Sequence, residues 1–248
     1  MSADFTGQVA VVTGGTRGIG AAVTRALLEA GGRVFAIYRQ DEAAARAFAD
    51  HAKPYGERLS VRRMDVADPE AVEAFWREIE TAVPAGVQIL VNNAGIRRDA
   101  IVGMMAIEDW KAVLDTNLSG SFYMSKFAVR SMMRGRYGRI VFVTSPSGDH
   151  GFAGQGNYAA SKAGQVGLMR ALAREAAKKG ITANAVSPGF VETELLADIT
   201  EDAKKAHLAT VPIGRFGKPE EIAWAVLALC SKEASYVNGS VLEVTGGI

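Results

Sequence analysis

The 248-residue sequence predicts a single α/β domain with a doubly wound, seven-stranded parallel sheet and helices on both faces. Three observations lead there. Strand-like and helix-like segments alternate almost from the first residue, the rhythm of βα units and hence of parallel strands. The first strand candidate, Val9-Ala10-Val11-Val12-Thr13, is apolar without polar alternation, as in a strand buried on both faces. A glycine-rich turn follows it directly and opens a helix.

Taken in order, the alanine- and leucine-rich stretch 20–30 follows that turn, and Gly31-Gly32 stops it. Further strand candidates are Arg33–Ile37, Leu59–Arg63, Val87–Val91, Arg139–Thr144, Ile181–Ser187 and Ser240–Val244. Helix candidates between them are Glu42–Lys53, Pro69–Val83, Ile107–Arg134, Gly156–Lys179 and Pro219–Ser231. The seven prolines are scattered and no Ser/Gly-rich or charged linker divides the chain, so residues 1–248 read as one domain. The stretch 190–216 breaks the rhythm and carries a polar helical run, Glu201-Asp202-Ala203-Lys204-Lys205. Long insertions of this kind serve as lids, and a substrate lid is expected at 190–216.

Composition removes several classes of function. With 28 basic against 27 acidic residues the net charge is +1, which gives no electrostatic case for nucleic acid. The single cysteine, Cys230, cannot form an internal disulfide, and no CxxC or HxH spacing offers a zinc site, so no metal is expected. No apolar run approaches the roughly 20 residues of a membrane span. The N-terminal residues show no basic region followed by an apolar stretch, so a cytoplasmic protein is expected.

The glycine turn is the first chemical signal. In Thr13-Gly14-Gly15-Thr16-Arg17-Gly18-Ile19-Gly20, glycines let the chain turn sharply and let a pyrophosphate approach the helix N-terminus. The string alone also describes a plain tight turn; its place between strand and helix selects the dinucleotide, Rossmann-like reading. An NAD site wants an acid at the end of the second strand. Here that end reads Tyr38-Arg39, with no carboxylate before Asp41. Arg39 and Arg17 are suited to a 2′-phosphate, which favours NADP(H).

Tyr158 and Lys162 stand four apart at a helix start and share a face. By spacing alone the pair reads first as a solvated surface pair. An ammonium close to the phenol would also lower its pKa from about 10 and suit it to proton transfer. Ser145 ends the fifth strand at the carboxyl edge, where open α/β sheets build their sites. No GxSxG turn surrounds it and no histidine stands in a partner motif, so a hydrolase nucleophile is a poor reading. His51 and His207 read as solvated, and His150 as loop surface.

Together these residues resemble the short-chain dehydrogenase/reductase family. The resemblance rests on Thr-Gly-x-x-x-Gly-x-Gly at 13–20, Asn92-Asn93-Ala94-Gly95, Asn117, Ser145, Tyr158-x-x-x-Lys162, Pro188-Gly189 with Val191 and Thr193, and Gly246-Gly247. It spans essentially the whole chain in the family's order. Within the family the text is most similar to 3-oxoacyl-acyl-carrier-protein reductases and their acetoacetyl-CoA reductase relatives. The matching stretches are Asn92–Asp99, Trp110 with Thr116-Asn117-Leu118, and Gly154–Tyr158. Pro146 and the Ser147–His150 segment depart from the pattern, and the chain stops one residue past Gly247, short of a longer tail that would seal a subunit contact.

The resemblance implies roles for named positions. Tyr158 would protonate the carbonyl oxygen, while Lys162 would lower its pKa and hold the nicotinamide ribose. Ser145 would orient the carbonyl, and Asn117 would help hold a water chain to Lys162. Gly14, Thr16, Arg17, Gly18, Ile19 and Arg39 would bind adenosine and phosphates, with Asp65 and Val66 beside the adenine. Asn93, Ala94, Gly95, Pro188, Gly189, Val191 and Thr193 would frame the ribose and nicotinamide. Arg136 and Lys179 match basic residues that receive an acyl carrier protein; by their own setting they also read as a solvated turn and a helix-end complement. The implied activity is NADPH-dependent reduction of a 3-oxoacyl thioester on acyl carrier protein, by a homotetramer built through the helices beginning near Ile107 and Gly156. A CoA thioester, a free ketone, or a catalytically silent NADP-binding protein are the alternatives; the last should lack Tyr158, Lys162 or Ser145, and all three are present.

Overall fold

The computed structural model describes residues 4–193 and 200–248. Seven strands form one sheet: β1 (Val9–Thr13), β2 (Arg33–Tyr38), β3 (Leu59–Arg63), β4 (Ile89–Asn92), β5 (Gly138–Val143), β6 (Ile181–Pro188) and β7 (Val241–Val244). Their order is β3-β2-β1-β4-β5-β6-β7 and every pairing is parallel. The order reverses between β1 and β4, so the loops after these two strands diverge and open a crevice at the carboxyl edge.

Strand residues divide alternately between two cores, as a period of two requires. Val11, Phe35, Leu90, Phe142 and Ala183 face one core. It is closed by α3 (Pro69–Ala82), α5 (Gly120–Gly135) and α7 (Gly156–Ala176). Val12, Val34, Val91, Val141 and Val186 face the other. There α1 (Gly18–Glu29) packs beside α9 (Pro219–Cys230). α2 (Glu42–His51) adds a small cluster through Phe48.

Three boundaries differ from expectation for local reasons. α2 ends at His51 because Pro54 cannot continue a helix; Lys53–Arg58 turns tightly instead, with Gly56 at φ +56°. β4 begins only at Ile89, since the Val87 N–H is taken by Ser131 Oγ. The expected helix 107–134 runs from α4 (Ile107–Leu114) into α5, but Asp115–Ser119 between them forms one wider π turn. Such turns concentrate at functional sites, and this one carries the fully buried Asn117. The Ser147–His150 segment, read as a loop, is a short helical turn, α6. Within the expected lid, α8 (Glu201–Ala209) is helical and Val191 pairs with Gly217, whereas 194–199 lie outside the described residues.

Candidate active site

The glycine turn is built by close approach. Gly14 has φ +64°, and a Cβ on Gly20 would stand 2.0 Å from the Gly14 carbonyl oxygen and 2.5 Å from Asn93 Nδ2. That contact lets Asn93 hydrogen-bond the carbonyls of Thr13 and Gly14, at 2.9 and 3.2 Å. Thr13 Oγ1 in turn accepts the N–H groups of Asn93 and Ala94, so the β1 and β4 loops are one unit. α1 starts behind Arg17 with no side-chain cap and no acid in its first turn. Its first N–H groups, with Gly18 at φ +49°, make a cradle suited to a pyrophosphate. Thr193 closes on this turn, 3.3 Å from where a Gly18 Cβ would be. Thr16 is buried and Ile19 half-buried.

At the β2 edge, Arg17 Nη1 lies 3.1 Å from Asp41, and Arg39 Nη1 3.6 Å from Asp65. Asp41 also caps α2 through the Ala44 N–H. Val66 packs under α5, where a Cβ on Gly120 would meet it at 2.8 Å. On the far side of the crevice, Gly189 approaches Thr245 so closely that a Cβ would fall 2.9 Å from its Cα, which lets Pro188-Gly189 end β6 there. The Val191 side chain is buried in the core, and its backbone pairs with Gly217.

Ser145 follows β5, and α7 brings Tyr158 and Lys162 to the same edge. Asn157 anchors the start of α7 by donating to the Arg98 carbonyl at 2.9 Å, and α6 packs on α7 through Gly148. A Cβ there would lie 2.8 Å from Ala163 N. Burial pushes the Tyr158 phenol above its usual value, a hydrogen bond with Ser145 and the charge of Arg97 pull it down, and Asp99 pushes it up. Lys162 is buried, its ammonium 5.5 Å from the Tyr158 ring centroid, and it donates to the Val143 carbonyl at 2.7 Å. Burial brings the Lys162 pKa down to about 7. The spacing alone read first as a surface pair; the structure corrects that reading, since the lysine is an interior group.

Asn117 is fully buried and fully engaged. It accepts from Ile96 N–H at 2.8 Å and donates to the Ile96 carbonyl and to Ser161 Oγ, while its own carbonyl accepts from Ser121 Oγ and Gln165 Nε2. Gly95 lies between it and Lys162: a Cβ there would be 3.4 Å from Asn117 Oδ1 and 3.7 Å from Lys162 Nζ.

Arg136 and Lys179 are brought together, since Arg136 Nη2 donates to the neighbouring Lys178 carbonyl at 3.0 Å. They stand at the amino edge of the sheet, however. Arg136 precedes β5 and Ser145 follows it, so the length of that six-residue strand, roughly 20 Å at about 3.3 Å per residue, lies between them. The pair therefore does not rim this chain's own pocket. Arg139, at the start of β5, is buried, donates to the Ser231 carbonyl at 3.1 Å and stacks over Tyr137. His207, read as solvated, stacks on Phe190 at 4.4 Å between centroids, while His150 is exposed as expected.

Sequence reasoning missed the polar residues behind the site: Ser147, Gln155, Asp99 and Arg97 linked to Ser145, and Ser121, Ser161 and Gln165 around Asn117. A signal existed in α7, where Ser161, Lys162 and Gln165 occupy the inward face that should be apolar.

A family model described as enoyl-(acyl carrier protein) reductase matches residues 13–248. The protein from Vibrio cholerae serotype O1 described as 3-oxoacyl-acyl-carrier-protein reductase FabG is 44% identical over 242 residues, 98% of this chain and 97% of its own. Proteins of the same description are 41% identical in Aquifex aeolicus, over 100% of both chains, and 42% identical in Escherichia coli K12, over 99% and 98%.

Proposed function

Because the chain belongs to the short-chain dehydrogenase/reductase family, we propose that it reduces the 3-oxo group of an acyl-carrier-protein thioester to the 3-hydroxy group. It is an oxidoreductase that uses a nicotinamide cofactor. The observation that carries the reading is the convergence of Ser145, Tyr158 and Lys162 beside the glycine cradle, in a chain 41–44% identical over its length to 3-oxoacyl reductases. The family model's description names an enoyl reductase, but a serine and a tyrosine hydroxyl close enough to interact with each other suit a carbonyl oxygen, which can accept from both.

The residues fit a dinucleotide, because the cradle is one that side chains would fill. When bound, the nicotinamide supplies hydride to the carbonyl carbon. Ser145 and Tyr158 would hydrogen-bond the carbonyl oxygen and fix its orientation. Tyr158 would hand its proton to that oxygen as negative charge develops there. Lys162 would supply positive charge behind the phenol and replace the lost proton, aided by its pKa of about 7. The Asn117 side chain clamps Ile96, and so would fix the loop that carries Gly95 beside Lys162.

NADP(H) is the proposed dinucleotide. The end of β2 offers Arg39 in place of an acid, and Asp41, the nearest carboxylate, is committed to α2 and to Arg17. A 2′-phosphate would draw both arginines from their carboxylates through charge-assisted bonds. The segment 190–216 is proposed as the lid over the acyl chain, and Arg136 with Lys179 as a carrier contact reached from the amino edge. A homotetramer is proposed from two exposed apolar faces: Val102, Met104 and Ile107 beside α4, and Trp224 with Tyr236 near edge strand β7. Among the described residues no helix is long and apolar enough to cross a membrane, and a cytoplasmic location is proposed.

The test is NADPH oxidation by the purified protein with carrier-linked, CoA-linked and free 3-oxo substrates. Faster turnover on carrier-linked substrate is expected, with a tetramer by light scattering. Turnover only on a free ketone would overturn the thioester reading.

A further inference from the structure

The returning half of the segment 190–216 has almost no core of its own. From 200 to 216, the only buried residue among the described ones is Val211. A stretch that buries so little takes its stance from the few contacts that hold it. At the base these are backbone bonds: the Gly217 N–H donates to the Phe190 carbonyl at 2.9 Å, and the Glu192 N–H to the Gly217 carbonyl at 2.8 Å. Farther out, the His207 ring stacks on Phe190. Between these two, residues 211–213 rest on the chain end that follows β7.

That chain end is Thr245-Gly246-Gly247. On one side Thr245 packs against Gly189, the residue before the segment begins. On the other, the Ile213 N–H donates to the Gly246 carbonyl at 3.1 Å. Thr245 Oγ1 folds the turn by accepting the Gly247 N–H at 3.2 Å. Both glycines have left-handed backbone, at φ +72° and +100°. A Cβ on Gly246 would stand 2.8 Å from Ile213 Cγ2 and 3.0 Å from Val211 Cγ1. One on Gly247 would stand 3.1 Å from Pro212 Cγ and 3.2 Å from Pro212 Cβ.

The three opposing side chains have little freedom to swing away. Valine and isoleucine branch at Cβ and are stiff at χ1, and the proline ring is fixed to its own backbone. Two residues without a Cβ thus face three that yield little, so direct contact sets the distance between the two backbones. The atoms nearest these glycines belong to 211–213, not to the phosphate cradle or to Ser145, Tyr158 and Lys162. Because β7 runs parallel to the other strands, its end lies at the carboxyl edge, as Ser145 does.

We infer that Gly246 and Gly247 are positioning residues: they seat 211–213, and so set how far the segment 190–216 stands off the crevice and how much room the acyl chain has. The inference rests on the reading of that segment as the lid. A side chain on either glycine would lift the returning half. A long acyl chain that reaches the lid would then lose contact, and a short one would not.

The test compares Gly246→Ala with the unmodified full-length protein in two measurements. Hydrogen exchange followed by mass spectrometry reads the seat with neither substrate nor cofactor: peptides covering 211–213 should exchange faster, while those of β1 and α1 keep their protection. Kinetics with carrier-linked 3-oxobutanoyl and 3-oxodecanoyl substrates read the lid. The KM for the longer substrate should rise about tenfold, equivalent to about 1.4 kcal/mol, with its kcat and both constants for the shorter nearly unchanged. A general loss of structure would instead lower both kcat values together. Adding Ile213→Ala, which removes Cγ2 from an exposed side chain, should bring the longer substrate's KM back down. Pro212→Ala opens the seat without adding an atom; it should speed exchange and raise the same KM, and it carries the test if Gly246→Ala does not fold. Unchanged exchange at 211–213 in both Gly246→Ala and Pro212→Ala would overturn the seat. Faster exchange without a selective KM rise for the longer substrate would overturn the lid reading, and the inference with it.

Discussion

The Lys162 ammonium donates to the Val143 carbonyl at 2.7 Å, so the last residue of β5 holds the only charged end of an otherwise interior side chain of α7. A lysine buried there costs stability when charged. Its folded pKa is about 7 against an ordinary 10.5, so between these values the unfolded chain binds more protons than the folded one. Stability from this group therefore rises with pH across that window and is lowest below about 7. Chemical denaturation at several pH values should show this rise, and Lys162→Met should flatten it while abolishing turnover. A slope unchanged by the substitution would mean that Lys162 titrates normally.

Tyr158→Phe should lower reductase turnover by about 100- to 10,000-fold, the usual worth of a positioned acid or base. Fluorescence titration with NADPH should show nearly unchanged binding, since the ring and its packing remain. Near-normal turnover would remove Tyr158 from the proton-transfer step.

Arg39→Gln should raise the KM for NADPH by roughly 10- to 150-fold, corresponding to one charge-assisted hydrogen bond of about 1.5–3 kcal/mol. NADH kinetics should barely change. Glutamine is the cleaner replacement, because an aspartate at 39 would stand beside Asp65. An unmodified enzyme that already prefers NADH would contradict the assignment.

Gly20→Ala should destabilise the protein, because the added carbon would overlap the Gly14 carbonyl and the Asn93 amide together. Neither is the free end of a flexible side chain: one is backbone, and the other is tied to two carbonyls. A loss of about 3 kcal/mol is expected, the upper part of the overpacking range, which is a Tm lower by roughly 6–12 °C at this size. Weakened cofactor binding should accompany it.

Charge reversal at Lys179 tests the carrier contact more cleanly than at Arg136, whose guanidinium holds the Lys178 carbonyl. Lys179→Glu should slow reduction of carrier-linked substrate at low salt and spare a CoA thioester, since exposed charges at a protein–protein contact act on association. Arg136→Glu should also lower Tm. Equal loss on both substrates from Lys179→Glu would instead indicate a defect of folding or assembly.

The fold was legible because each of its signals is local. Val9–Thr13 is apolar at every position, Gly31-Gly32 stops a helix, and βα alternation admits little besides a parallel sheet. The family's ordered motifs likewise marked Ser145, Tyr158, Lys162 and the glycine turn. Tertiary packing decided the rest. Spacing put Tyr158 and Lys162 on one face, but only the packing of α7 against the end of β5 made that face an interior one and depressed the lysine's pKa. The sequence marked Arg136 and Lys179 without placing them relative to the pocket, and only the strand direction put β5 between them and Ser145. The line from Ser145 through Ser147 and Gln155 to Asp99 takes steps of 2, 8 and 56 positions, and its bonds form only when α6 closes on α7 and the loop after β4 folds against both. Hydrogen-bond direction depends on which groups meet at about 3 Å, and a chain of letters carries no such distance.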